Sequence, residues 1–222
     1  MNKATTPEKT KTSQFKAWAL KMLIGAAIGG GVSAAAIALA GTGLLDAMGP
    51  SRVALAGVGL VYLLMGGLVA FGLVAPRAGA KLLNVGDADE LRDERAGMAR
   101  SVATMGATGI LLLLLALARA PDFVEGPVSA AVAMGALLLS TAAGVYASWR
   151  WRNAFDELNW QLGLEGCMWA FCLSWVLLSL WAAADFLGFG VTLTPIDVVT
   201  TLAAMLLLGS FAAIGKRGMM TR

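Results

Sequence analysis

The 222-residue sequence contains no histidine, and this absence excludes the commonest forms of several chemistries. Histidine is the usual general base near neutral pH, the commonest protein metal ligand and a frequent axial ligand of haem. The sequence also has no nucleophile-and-base set or acidic cluster with metal-ligand spacing. We therefore predict no catalytic residue, no cofactor and no metal site, and we expect a protein that is not an enzyme.

Cysteine is almost as scarce, with only Cys167 and Cys172 in the whole chain. Five residues apart on a helix, the two side chains would point about 140° apart around its axis. Their Cα atoms would then lie farther apart than the about 7 Å that a disulfide can bridge. Two thiols alone also cannot complete a tetrahedral metal site. We interpret them as small packing residues.

Charge is sparse too, because only 14% of the residues are charged, against roughly 25% in a typical soluble domain. The apolar residues fall into six runs, none of which has an ionisable residue near its middle: 22–45, 53–75, 102–118, 128–148, 166–184 and 198–214. A helix of about 20 apolar residues spans the hydrocarbon of a bilayer. A soluble bundle would instead need polar helix faces, which the leucines at 111–115 do not provide. We predict an all-α, polytopic membrane protein of six transmembrane helices in three hairpins.

The distribution of positive charge predicts the orientation of these helices. Of the 17 Lys and Arg residues, 15 flank the spans on the side of both termini, and only Arg52 and Arg119 lie on the other side. Cytoplasmic segments are enriched in Lys and Arg, so we expect cytoplasmic N- and C-termini in a bacterial cytoplasmic (inner) membrane. The membrane domain at 22–214 would follow a basic tail at 1–21 and precede a short tail at 215–222.

The partners implied by this charge pattern are lipids rather than nucleic acids. Basic residues beside membrane spans match the anionic headgroups of the bilayer. A nucleic-acid partner would need a basic surface domain, and the sequence has no room for one. We therefore expect the lipid bilayer as a partner and no nucleic acid.

Two cytoplasmic segments are predicted to extend membrane helices beyond the bilayer. Asp87 and Glu90 have the spacing of a capping box, so a helix at 87–101 should continue into the third span. A similar start predicts a helical extension at 153–165 before the fifth span. Each extension carries an acidic pair, and we treat these four residues as candidate partner-binding residues: Asp93, Glu94, Asp156 and Glu157. The alternative interpretation is a solvated first turn that favours the helix dipole.

Small residues and hydroxyl-bearing residues within the spans indicate where helices could pack and where a solute could pass. Gly25 and Gly29 form a GxxxG motif, and Gly66 and Gly67 lie in the second span, so these four glycines are candidate helix-packing residues. A second group shares one face of the third helix and could line a path for a solute: Ser101, Thr104 and Thr108. Membrane hydroxyls more often bond to backbone carbonyls or to a neighbouring helix.

These features support two functional hypotheses. The first is a non-enzymatic scaffold or accessory subunit of a membrane complex, whose partner is another membrane protein or a second copy of this chain. The second is a small transporter or channel for a neutral or apolar solute. An ion-coupled transporter would usually place an acidic or basic residue near the bilayer midplane, and no span contains one there.

The predicted topology can be tested by cysteine labelling from outside the cell. In a variant that lacks Cys167 and Cys172, a cysteine at Glu125 should react with a membrane-impermeant maleimide, whereas one at Ala88 should not. Labelling of the Ala88 position in intact cells would overturn the predicted orientation.

Overall fold

The computed structural model describes residues 41–75, 95–151 and 157–216, which form five α-helices. In chain order these are α1 (Thr42–Val74), α2 (Arg95–Ala116), α3 (Ala130–Trp151), α4 (Glu157–Phe186) and α5 (Pro195–Lys216). No β-strand longer than an isolated bridge occurs within these ranges. The chain forms two compact units, Met1–Leu44 and Leu45–Arg222, and every contact that follows lies within the second.

All five helices are long and apolar enough to cross a membrane, in agreement with an all-α, multi-pass membrane protein. They correspond to the predicted second to sixth spans. The predicted first span at 22–45 lies outside the described residues, apart from its last residues within α1. The six-helix count and the cytoplasmic termini therefore remain predictions.

Helix α1 contains a sharp kink at the predicted boundary between the first two spans. Gly49 has φ 71° and ψ 167°, a backbone conformation outside the helical region that is open to glycine and strained for other residues. Pro50 follows and begins the next helical turn, where a residue without a backbone N–H costs no hydrogen bond. The membrane-length part of α1 accordingly runs from Pro50 to Val74.

The N-terminus of α5 is capped by its own sequence, Thr194 to Asp197. The Asp197 carboxylate accepts hydrogen bonds from the Thr194 backbone N–H at 2.9 Å and the Thr194 hydroxyl at 2.7 Å. The Asp197 N–H donates to the Thr194 carbonyl oxygen at 3.0 Å. This cap explains why a carboxylate is buried here, because it satisfies donors at the helix start and favours the positive end of the helix dipole.

Helices α2 and α4 are unbroken in the described parts of the predicted cytoplasmic extensions, 95–101 and 157–165. α2 continues without interruption from Arg95 past Val102, and α4 from Glu157 past Gly166. The predicted starting points of the extensions, Asp87 and Asn153, lie outside the described residues.

Pairs of glycines allow the helix backbones to approach closely. A Cβ atom added at Gly109 of α2 would lie 2.8 Å from the Gly59 carbonyl oxygen of α1, and one at Gly209 of α5 would lie 2.5 Å from the Gly166 carbonyl oxygen of α4. In lipid, such contacts replace the hydrophobic effect as the source of helix association.

Of the two predicted packing glycines in α1, one contacts a neighbouring helix and the other does not. Gly66 is buried, and a Cβ added to it would lie 3.3 Å from the Met105 Cβ of α2. Gly67 is exposed, with no atom of another described residue within 4 Å of that position. Neighbouring residues of a helix point about 100° apart, so one contact face does not contain both. Gly25 and Gly29 lie outside the described residues.

We expect substitution of the contact glycines by alanine to destabilise the protein. Gly109→Ala and Gly209→Ala should each lower the free energy of unfolding by about 1–3 kcal/mol, because the new methyl group would press on backbone that cannot move freely. Unfolding in mixed detergent and dodecyl sulfate micelles measures this change.

Two control glycines lie on helices that take part in the same two contacts, α2 and α4. Gly106 of α2 and Gly163 of α4 have open space where a Cβ would lie, so their alanine variants should retain or gain stability. Equal losses in the contact and control variants would contradict the close-approach explanation.

Candidate functional site

A buried arginine at the start of the membrane-length part of α1 organises one end of the unit. The Arg52 side chain is only 8% exposed. Its Nη1 donates hydrogen bonds to the carbonyl oxygens of Ala116 at 3.2 Å and Ala118 at 2.9 Å. The last carbonyls of a helix have no partner within the helix, so Arg52 caps α2 from a different element and complements its negative dipole end.

The same guanidinium holds the connection between α2 and α3. Arg52 Nε donates to Asp122 Oδ2 at 3.1 Å and Nη2 to Asp122 Oδ1 at 2.9 Å, a two-pronged pairing that fixes orientation. The Arg52 Cζ atom also lies 5.2 Å from the centre of the buried Phe123 ring, within cation–π range. These hydrogen bonds lower the pKa of the Asp122 carboxyl below its ordinary value, so it is ionised at neutral pH.

Arg119 lies within the α2–α3 connection and forms hydrogen bonds across it. The Arg119 N–H donates to the Val128 carbonyl oxygen at 2.7 Å, and the Val128 N–H donates to the Leu117 carbonyl oxygen at 3.2 Å. Arg119 Nε donates to the Gly126 carbonyl oxygen at 3.3 Å. Hydrogen bonds therefore give the α2–α3 connection a defined shape.

Arg52 and Arg119 are the two exceptions to the charge distribution along the sequence, and both are used structurally. The sequence alone assigns neither of them a role. Their isolation on one predicted side of the membrane was the available signal, but the sequence could not identify carbonyl oxygens, an aspartate and a phenylalanine ring as the partners of Arg52.

A cavity of about 580 Å³ adjoins Arg52 and Asp122. Its wall also contains the kink at Gly49 and Pro50 and the capped start of α5 at Thr194. The α2–α3 and α4–α5 connections thus meet at one end of the unit, which we call the Arg52 end.

The opposite end of α4 and α5 is marked by a second ion pair. Lys216 Nζ lies 2.8 Å from Glu165 Oε1 and links the last turn of α5 to α4. At the corresponding ends of α2 and α3, the Arg100 Cζ atom lies 5.8 Å from the centre of the Trp151 ring. Both interactions hold a cationic side chain against the neighbouring helix.

A groove of about 520 Å³ separates α2 from α3 and contains most of the hydroxyl groups that the sequence singled out. Its walls consist mainly of alanine, glycine, threonine and serine. The lining residues are Ala103, Thr104, Ala107, Thr108, Leu111, Leu139, Ser140, Thr141, Ala143, Gly144, Ala147 and Trp151.

The three predicted solute-path residues have different positions relative to this groove. Thr104 and Thr108 line it, whereas Ser101 is exposed and not part of its wall. The Thr104 hydroxyl donates to the Arg100 carbonyl oxygen at 3.0 Å, and Ser101 donates to the Gly97 carbonyl oxygen at 3.3 Å. These two hydroxyls thus bond to their own helix, the usual arrangement in a membrane helix.

Only one of the four acidic candidates for partner binding falls within the described residues. Glu157 is exposed as the first residue of α4, and its Oε1 accepts a hydrogen bond from Gln161 Nε2 at 3.1 Å. This i,i+4 contact stabilises the first turn of the helix. Asp93, Glu94 and Asp156 lie outside the described residues.

A second groove, of about 600 Å³, runs along α4 and α5 and is predominantly apolar. The Phe171 and Trp175 rings, 6.2 Å apart and stacked, form part of its wall together with Cys167. Cys167 and Cys172 are both free and exposed, so they do not occupy the packed interior expected for small packing residues.

Within the described residues, no group of three or more Cys, Asp or Glu side chains could hold a metal ion. No protein-family model, curated protein or solved structure matches this chain. The candidate sites for function are therefore the two grooves along the helices and the organised Arg52 end.

The contribution of Arg52 can be separated from that of its ion pair. Arg52→Ala should lower the free energy of unfolding by about 2–6 kcal/mol, because the carbonyl groups of Ala116 and Ala118 lose their donor at about 1–3 kcal/mol each. Asp122→Asn should cost less than about 1 kcal/mol, since the Asp122 side chain is 70% exposed and water replaces the arginine. Unfolding in micelles measures both values, and equal losses would show that the ion pair, not the helix cap, dominates.

Proposed function

We propose that the protein is a non-enzymatic scaffold or accessory subunit of a complex in the bacterial cytoplasmic membrane. The observation that carries this proposal is the groove between α2 and α3, whose walls are built mainly from the small residues alanine, glycine, serine and threonine. Transmembrane helices associate where small residues let two backbones approach closely. The groove offers such a surface to a helix of another membrane protein or of a second copy of this chain.

The position of Gly144 makes the groove suitable for an incoming helix. Gly144 is exposed in the groove wall, and the position of its missing Cβ is open, in contrast to the filled space around Gly109 and Gly209. Hydroxyl groups on both walls, such as Thr108 and Ser140, could add hydrogen bonds to the partner. The acidic pairs Asp93–Glu94 and Asp156–Glu157 remain candidates for contacts with the cytoplasmic part of the same partner.

A small transporter or channel for a neutral or apolar solute is the second candidate. The hydroxyl groups of Thr108 and Ser140 support it, because they place polar atoms on both walls of a groove between two membrane-length helices. A neutral solute with hydrogen-bonding groups could use them in passing. This function predicts sensitivity to loss of a hydroxyl rather than to added bulk.

We expect Gly144→Leu to reduce recovery of the partner, or of a differently tagged second copy, by affinity purification in mild detergent. The larger side chain would extend into the groove from a Cβ position that has no other atom within 4 Å. Gly135→Leu is the matched control, because Gly135 also has open space and lies nine residues earlier, on the opposite side of α3. A loss of recovery in both variants, or in neither, would argue against a partner in this groove.

Solute uptake into liposomes by the purified protein separates the two candidates. Thr108→Val keeps the shape of the side chain but removes its hydroxyl, so a transporter should lose uptake while a scaffold should retain its partner. The absence of uptake by the unaltered protein, together with a stoichiometric partner, would favour the scaffold.

A further inference from the structure

The connection between α4 and α5 exposes a group of large apolar side chains. Phe186 is 90% exposed, Leu187 66% and Phe189 73%. No charged residue lies between Asp185 and Asp197. Three large apolar side chains next to one another are rarely exposed to water. Their exposure therefore indicates an interaction site.

Hydrogen bonds at the end of α4 hold this group in place. Gly188, with φ 76°, donates its N–H to the Asp185 carbonyl oxygen at 3.0 Å, and the Phe189 N–H donates to the Ala184 carbonyl oxygen at 3.1 Å. This pair of bonds is the Schellman motif that ends many helices. The Asp185 carboxylate also accepts a hydrogen bond from the Leu193 N–H at 3.0 Å, which ties the far side of the connection to the helix end.

The charges of α4 and α5 locate this connection relative to the bilayer. Glu165, paired with Lys216, and Asp185 are 20 residues apart on α4, a helical rise of about 30 Å, and no charged residue lies between them. Asp197 and Lys216 are separated by about 28 Å on α5, again without a charge between them. Both lengths match the hydrocarbon thickness of a bilayer, so the exposed group begins at its boundary.

The two connections at the Arg52 end expose different kinds of side chain, and this difference indicates whether each faces water or lipid. The α2–α3 connection buries Phe123 beneath Arg52 and exposes Asp122 and Glu125, as expected for contact with water. The α4–α5 connection exposes phenylalanine and leucine instead. On α4, one to two turns before this connection, Leu180 is also exposed.

We propose that Phe186, Leu187 and Phe189 form an interfacial anchor that inserts into the headgroup and acyl boundary of the lipid leaflet at the Arg52 end. The anchor binds lipid rather than protein, because its level coincides with the end of the hydrocarbon and it follows a helix whose apolar side chains, such as Leu180, are also exposed. It lies on the opposite side of the chain's membrane segments from the Glu165–Lys216 pair, and it does not depend on the proposed scaffold function.

Spin labelling in phospholipid nanodiscs tests the anchor. In a variant in which Cys167 and Cys172 are replaced by alanine, a nitroxide is attached to Phe189→Cys and, as a matched control, to Val124→Cys in the α2–α3 connection. Val124 is similarly exposed, but it lies between exposed acidic residues. Collision rates are then measured with oxygen, which concentrates in lipid, and with a nickel chelate, which stays in water.

The ratio of oxygen to nickel-chelate collision rates should be several-fold larger at position 189 than at position 124. A label on Leu187→Cys provides an independent position if Phe189→Cys reduces folding, and it should show the same excess. Equal ratios in the two connections would overturn the anchor and leave the apolar group in water. Protection from both reagents at positions 187 and 189 would also overturn it, because a protein surface would then cover the group.

Discussion

The hydrogen bonds of the Arg52 guanidinium are the interaction on which one whole end of the described structure depends. One side chain of α1 caps the last carbonyl groups of α2, pairs with Asp122 and covers Phe123. A charged side chain is costly near a membrane unless its donors are satisfied, and here four of the five guanidinium N–H donors make hydrogen bonds. The result is a defined α2–α3 connection beside the capped start of α5.

Two requirements explain the rest of the packing. Backbone N–H and C=O groups must form hydrogen bonds, and apolar surface must contact either another helix or lipid. Asp197 satisfies the start of α5, and Asp185 satisfies the connection before it. Between these ends, glycines bring backbones into contact at Gly59 with Gly109 and at Gly166 with Gly209. Where small residues are not matched by a neighbour, as around Gly144, a groove remains.

The difference between the two close helix contacts and the open α2–α3 groove is the physical basis of the proposed function. The contacts between α1 and α2 and between α4 and α5 leave no room for even one methyl group at their closest points, whereas the α2–α3 groove has open space at Gly144. A close-approach surface without a partner helix in the described structure favours an association role. The hydroxyl groups on its walls keep passage of a neutral solute as the second candidate.

The sequence by itself determined the helical class and the approximate positions of five membrane-length helices, because these depend on local apolar runs. It also indicated that Thr104 and Thr108 share a face. Only the tertiary structure decided that Gly66 and not Gly67 contacts α2, and that Arg52 caps another helix, since both depend on the rotation and proximity of elements distant along the chain. Composition could predict that small residues would pack, but whether a small residue meets a backbone or an open groove depends on which helices come together.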